Sequence, residues 1–326
     1  MNLLTGKRVL VTGGAGFIGS SLCYDLLERD NEVICLDNFA TGKKENIDAL
    51  KGNPQFKLIN GDIREPETCK KAVRGADVVL HQAALGSVPR SIADPATTNA
   101  VNITGFLNMI IAARDAGIKR FVYASSSSVY GDSAELPKVE ERTGKVLSPY
   151  AITKLVNEEY ARIFGNLYGM ETIGLRYFNV FGRRQDPEGP YAAVIPKFTQ
   201  LFMKHQPPVI NGDGSNSRDF TYIDNVILAN NLAATVENHN ALNQVYNVAC
   251  GDSVNLNEMT MMLRGYLAAH DPKIAEVEPA HGPARAGDIP HSMASVGKAV
   301  RLLGYQPQVL FTEGLKRSVE WYRKNL

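Results

Sequence analysis

The first 180 residues alternate between short apolar runs rich in β-branched side chains and longer stretches with helical spacing. Apolar runs at residues 9–12, 32–37, 56–60, 78–82, 121–125 and 172–177 predict six strands. Between them, residues 16–28, 66–73, 101–116 and 150–168 place apolar positions three and four apart, which predicts helices. Strand and helix in alternation form βαβ units, so the expected fold is α/β, a Rossmann doubly wound parallel sheet. Runs such as Val9-Leu10-Val11 are apolar at every position, as a strand must be when helices cover both faces of its sheet.

After residue 180 the pattern loosens. Glycine and proline punctuate residues 184–190, 206–214 and 280–290, which predicts a smaller C-terminal α/β unit of helices and short strands. The expected division is a first domain over 1–178, joined by return segments near 219–248, and a second, substrate-binding domain mainly over 179–326. Loops of the second domain would close over the carboxyl edge of the sheet, where open α/β sheets bind ligands.

Composition narrows the classes. A chain of 326 residues suits one large or two intimate domains, and a net charge of +1 gives no field that would hold nucleic acid or a membrane surface. The four cysteines, at 23, 35, 69 and 250, form no Cys-x-x-Cys pair, so neither a disulfide framework nor a metal site is expected. A strand beginning at residue 8 leaves no room for a signal peptide, and no apolar run has bilayer length. A cytoplasmic protein is the expectation.

The chemistry begins at the first strand's end. Thr12-Gly13-Gly14-Ala15-Gly16-Phe17-Ile18-Gly19 follows it and opens a helix. Glycine is needed there because the chain turns tightly, the backbone must approach a pyrophosphate, and the helix must pack close to the strand. By itself the pattern also suits an ordinary tight turn. Asp37, at the end of the second strand and 18 residues after Gly19, supplies the carboxylate expected on a ribose. That acid would repel a 2′-phosphate, so NAD is favoured over NADP, although Lys43 and Lys44 lie close in sequence. Asp62, before Ile63, is a candidate acceptor for the adenine amino group or a helix cap. Gln82-Ala83-Ala84 ends the fourth strand with small residues where backbone passes a cofactor.

Tyr150 and Lys154 stand four apart at a helix start, on one face. Ser125-Ser126-Ser127-Ser128 ends the fifth strand. An ammonium beside a phenol favours phenolate, which can take a hydroxyl proton while hydride leaves the same carbon. Ser126 or Ser127 can hold the reacting oxygen.

In this order the motifs resemble the extended short-chain dehydrogenase/reductase family of nucleotide-sugar epimerases and dehydratases, along essentially the whole chain. The markers are residues 12–19, Ser125 to Gly131, Tyr150 to Lys154, Leu175-Arg176-Tyr177-Phe178-Asn179-Val180-Phe181-Gly182 and Arg218-Asp219-Phe220-Thr221-Tyr222-Ile223-Asp224-Asn225-Val226. Ser148-Pro149-Tyr150-Ala151, Gly182-Arg183-Arg184-Gln185-Asp186-Pro187, residues 191–196 and Ile210-Asn211-Gly212-Asp213-Gly214 are similar to bacterial UDP-N-acetylglucosamine 4-epimerases. The resemblance implies bound NAD with Asn38, Gly42, Ser125 and Tyr177 added to its contacts. It implies a UDP-sugar held by Gly86, Ser87, Asn179, Ala193, Val194, Ile210 and Asn211, with Arg218 and Arg285 clamping the diphosphate.

Ser292 aligns with a gate where a small residue admits an N-acetyl group. Pro290 and Ser295 depart from that group, which has Arg and Asp there. Family dehydratases and decarboxylases carry an acid before Val129-Tyr130-Gly131; here Ser128 stands in that place, which favours epimerisation. A UDP-uronic acid 4-epimerase is the alternative, and a dehydratase, a decarboxylase or a non-enzymatic NAD sensor stand further off. The resemblance also implies surface-polysaccharide synthesis and a homodimer formed through a four-helix bundle of the 101–116 and 150–168 helices.

Overall fold

The computed structural model describes residues 3–188, 192–284 and 290–326. Its first half runs β1 (Arg8–Thr12), α1 (Phe17–Glu28), β2 (Glu32–Asp37), β3 (Phe56–Asn60), α2 (Pro66–Ala72), β4 (Val78–His81), α3 (Val88–Ala93), α4 (Pro95–Asn99), α5 (Phe106–Asp115), β5 (Arg120–Ser126), α6 (Pro149–Tyr168) and β6 (Glu171–Tyr177). The remainder is β7 (Val180–Phe181), α7 (Val194–Met203), β8 (Val209–Asn211), β9 (Ser217–Arg218), β10 (Thr221–Tyr222), α8 (Ile223–Thr235), β11 (Gln244–Val248), β12 (Val254–Asn255), α9 (Leu256–Ala268), β13 (Ala280–Gly282), β14 (His291–Ser292), α10 (Gly297–Leu303) and α11 (Phe311–Asn325).

The expected parallel sheet is present. Its order is β11-β6-β5-β4-β1-β2-β3, with every pairing parallel. The seventh strand, β11, lies beyond the six that the pattern predicts. Alternate residues feed opposite cores: Val9, Val11, Val33 and Cys35 pack with α1 and α8, whereas Leu10, Ile34 and Leu36 pack with α5 and α6. That is the period-two geometry of a strand buried on both sides. The order reverses between β1 and β4, so their carboxyl ends open a crevice at the switch point.

The predicted helix over 101–116 is broken. Residues Ala100–Gly105 form a π-helical segment ahead of α5. Asn102 in that segment accepts from the Leu85 amide at 2.7 Å and donates to the Leu85 carbonyl at 3.1 Å. This long-range clamp accompanies the bulge that spacing alone could not reveal. α6 is better signalled locally: the Ser148 hydroxyl accepts from the Ala151 amide at 3.1 Å, Pro149 starts the helix, and Gly169 ends it at φ +65°.

Small sheets position the loops above the large one: β12-β9-β14, β8-β13 and β7-β10. Among the described residues, no helix is long and apolar enough to cross a membrane.

Candidate functional site

A cleft of about 310 Å³ opens at the β1/β4 switch point. Gly13, Gly16, Phe17, Ile18 and Gly19 form its floor. Gly13 sits at φ +67°, and a Cβ there would lie 2.8 Å from the Ala83 backbone. A Cβ on Gly19 would lie 2.0 Å from the Gly13 carbonyl oxygen. The turn therefore has room only for glycine. No side chain caps the start of α1; its first-turn amides lack helical partners and can meet an anion.

Asp37, Asn38, Asp62 and Ile63 line one wall, and Gln82, Ala83, Ala84 and Gly86 the other. The Asp37 carboxylate accepts from the Ala15 amide at 2.9 Å and the Phe39 amide at 2.7 Å. Burial raises its pKa, and the amides of Phe39, Ala15 and Gly16 oppose the rise. Gly42 lies behind this wall, where a Cβ would meet Ala15 and Asp37. Lys43 pairs with Asp186 at 2.8 Å, and Lys44 lies over the Phe39 ring. Both lysines thus have partners away from the ribose acid. Asp62 is gripped by Arg64, which pulls its pKa to about 2, and accepts from Asn38 at 2.8 Å. It starts no helix, because Glu65 holds the cap position of α2.

Leu36, Ala40, Thr41, Gly61, Leu85 and Val101 also line the cleft and were not singled out by sequence. Apart from Val101, which lies in the π-helical segment, their only signal is nearness to strand ends. The helix start and the glycine cradle suit a dinucleotide pyrophosphate, and the buried carboxylate suits a ribose.

Tyr150 stands in the first turn of α6, with Lys154 one turn on. The Lys154 ammonium lies 5.9 Å from the Tyr150 ring centre and donates to the Ala124 carbonyl at 2.8 Å. Burial pulls its pKa down to about 8, and Glu158 opposes that pull. Burial raises the Tyr150 pKa, and a hydrogen bond with Ser126 lowers it. Ser127 begins the 3₁₀ turn after β5. The Ser125 hydroxyl donates to Glu158 at 2.5 Å. Glycine turn, serines and Tyr-Lys pair thus converge on one end of the sheet.

Tyr177 closes a ring that the sequence did not signal. Its hydroxyl donates to Gln82 at 3.0 Å, Gln82 donates to Asn230 at 3.0 Å, and Asn230 donates back to Tyr177 at 2.9 Å. The phenol proton is thereby used inside the protein, and the Tyr177 pKa is raised, chiefly by burial.

On the opposite side, Ser87 caps α3 at φ +105°. Asn179, at φ +34°, donates to the Asp219 carbonyl at 3.0 Å. Ala193 caps α7 and Val194 begins it. The Ile210 side chain belongs to the core and its backbone pairs with β13, which leaves exposed Asn211 for any ligand. Arg218 stands in register with Ser292 across β9 and β14, and donates to the Ser217 and Pro290 carbonyls at 2.9 and 3.2 Å. Arg285 lies outside the described residues.

Asp219 was missed as a candidate. It is buried and accepts from the amides of Cys250 at 2.9 Å, Gly251 at 3.0 Å and Ala294 at 3.2 Å. Burial pushes its pKa up to about 6 against those amides.

Comparison with known proteins agrees with this geometry. Residues 9–249 match the NAD dependent epimerase/dehydratase family. A UDP-glucose 4-epimerase of Mycolicibacterium smegmatis is 35% identical over 97% of this chain and 98% of its own length. A solved UDP-N-acetylglucosamine 4-epimerase from Methanobrevibacter ruminantium, in complex with UDP-N-acetylmuramic acid, superposes with a TM-score of 0.92 at 37% identity, covering 99% of this chain and 100% of that one. The Thermus thermophilus UDP-glucose 4-epimerase, solved with NAD, gives 0.85 at 35% identity over 98% and 100%. The chain belongs to the NAD-dependent epimerase/dehydratase family, with NAD as its cofactor.

Proposed function

We propose that the chain interconverts the C4 epimers of a UDP-N-acetylhexosamine, UDP-N-acetylglucosamine and UDP-N-acetylgalactosamine, and accepts the plain UDP-hexoses as smaller substrates. The observation that carries this reading is the end of β5: Ser126 bonds the buried Tyr150 hydroxyl, and Ser128 stands before Val129-Tyr130-Gly131 where the dehydratases and decarboxylases carry an acid. Elimination or decarboxylation calls for a second acid or base beside the reacting sugar. Removing and restoring hydrogen at one carbon calls for one. The likeness to an N-acetylglucosamine 4-epimerase supports the sugar class.

In this reading the first-turn amides of α1 take the pyrophosphate, Asp37 the adenosine ribose, and Asp62 with Ile63 the adenine. Lys154 holds the nicotinamide ribose, and the Tyr177 ring packs on the nicotinamide. Bound there, NAD would supply the acceptor and donor of the sugar carbon's hydride. Tyr150 removes the 4-hydroxyl proton while Ser126 or Ser127 hydrogen-bonds that oxygen, and Lys154 favours the phenolate form. Arg218, Arg285, Asn179, Ala193, Val194 and the Ile210-Asn211 backbone anchor UDP, so the 4-keto sugar turns without leaving. Tyr150 then returns the proton to the same oxygen, and C4 is inverted because hydride would return to its opposite face.

Exposed Ile152, Ile163 and Leu167 on α6 support the homodimer expected through this helix.

Purified protein incubated with UDP-N-acetylglucosamine and NAD should yield the C4 epimer by NMR. Its absence would overturn the assignment, and faster turnover of UDP-glucuronic acid would transfer it to uronic acids. Tyr150→Phe should lower kcat roughly 10³-fold with NAD content unchanged.

A further inference from the structure

The helix that carries Tyr150 and Lys154 holds a buried carboxylate on its next turn. Glu158 is 7% exposed and lies four residues beyond Lys154. A carboxylate so placed must find compensation for lost water. Its Oε1 accepts from the Ser125 hydroxyl at 2.5 Å and from Arg176 Nε at 2.9 Å, and its Oε2 accepts from a second Arg176 nitrogen at 2.8 Å. Arg176 in turn donates to the Glu140 carbonyl at 3.0 Å and lies 4.9 Å over the Tyr130 ring.

The two strand neighbours of Ser125 hold the acid–base pair. Ala124 accepts from the Lys154 ammonium, and Ser126 bonds Tyr150. One carboxylate is therefore tied, through Ser125, to both anchoring points, and its residue stands one helix turn beyond Lys154. We propose that Glu158 is a positioning residue for the reaction: it fixes the end of β5 through Ser125 and supplies the negative charge that keeps Lys154 an ammonium beside Tyr150.

This inference rests on the roles given to Tyr150 and Lys154 under the proposed function. The other groups around the pair do not replace the charge. His81, from β4, is neutral, because burial and Lys154 hold its pKa at about 3. Tyr123, from β5, stays a phenol because burial and Glu158 both raise its pKa. Arg176, from β6, is positive and lies over the Tyr130 ring and against the Glu140 carbonyl; burial raises the pKa of both Tyr130 and Glu140. Glu158 is the anion that acts on Lys154, where it opposes the fall caused by burial.

Glu158→Gln keeps an acceptor for Ser125 and removes the charge. In holoenzyme carrying ¹³C-lysine, the Lys154 Cε resonance, assigned by its loss in Lys154→Arg, reports the titration directly. The expected result is a midpoint lowered by about one pH unit, with the alkaline limb of kcat moving the same way and KM little changed. A less stable protein with an unmoved midpoint would show Glu158 to be a structural partner of Arg176 alone, and would overturn the proposal. Should the unpartnered Arg176 prevent folding, Glu158→Gln/Arg176→Met removes both charges and leaves none unpaired. A smaller downward shift is expected there, because losing the guanidinium acts the other way; a midpoint at or above the wild-type value overturns the proposal. If wild-type protein turns over no UDP-sugar, the epimerase reading fails while the Lys154 titration still decides this one.

Discussion

The two sides of the cleft achieve order by different means. The cofactor side is made of neighbours in sequence: Gly13 to Gly19 form one turn, and Asp37 reaches back to Ala15 over 22 residues. The proposed sugar side is made of strangers. Arg218 lies beside Ser292, and Asp219 gathers the amides of Cys250, Gly251 and Ala294. A turn built on glycine tolerates no added atom, because backbone stands where the atom would go. A loop cluster held by a buried carboxylate tolerates small changes in shape but depends on a single charge. The first arrangement suits a cofactor common to a family, and the second suits a pocket whose sugar can change.

Four measurements would break or sharpen this contrast. The largest effect belongs to Gly19→Ala, whose methyl would lie 2.0 Å from the Gly13 carbonyl oxygen. A loss of about 3 kcal/mol in denaturant melts is expected, together with loss of the NAD released on acid precipitation. Normal NAD content would show that the turn has slack.

The next two use pH, because one buried group on each side shifts in the opposite sense. His81, hydrogen-bonded to Thr12 at 2.9 Å, has its pKa held at about 3 by burial, below its unfolded value. Its unfolded form therefore binds more protons as pH falls below roughly 6.5, and stability is lost in that window. Between pH 7 and pH 5 the wild type should lose about 2 kcal/mol relative to His81→Gln. Asp219, raised to about 6 by burial, binds protons more tightly when folded, so its contribution declines as pH rises from about 4 to 6. Between pH 7 and pH 5 the wild type should gain about 1 kcal/mol relative to Asp219→Asn. Slopes of equal sign in the two variants would remove the contrast.

The smallest effect is one of specificity. Ser292→Tyr should lower kcat/KM for the N-acetylated substrate roughly tenfold relative to UDP-glucose. Equal losses on both would remove Ser292 as a gate.

The sheet, the glycine turn and the Tyr-Lys pair were legible because each depends on local spacing. β11 was less visible: Gln-Val-Tyr-Asn-Val at the sheet edge mixes polar and apolar residues, and its Asn247 side chain is satisfied only by the Lys138 and Ser295 carbonyls and the Tyr130 hydroxyl. The resemblance adds Ser125 to the cofactor contacts, but its hydrogen bond to Glu158, 33 residues on, has no signal in local spacing. Asp219, Glu158 and Asn230 went unmarked for one reason. An acid or amide in a helical or loop stretch reads as solvated surface, and its burial depends on partners far along the chain.

The amino-acid order alone determined where the backbone must come close to a pyrophosphate and which phenol and ammonium share a helix face, because turn sterics and helical periodicity act within a few residues. Tertiary structure alone decided which polar groups lose their water. Burial shifted Lys154, His81 and Asp219 from their ordinary titration ranges, and it joined Glu158 to Arg176 and Ser125. Desolvation is set by everything packed around a group, and no local spacing encodes it.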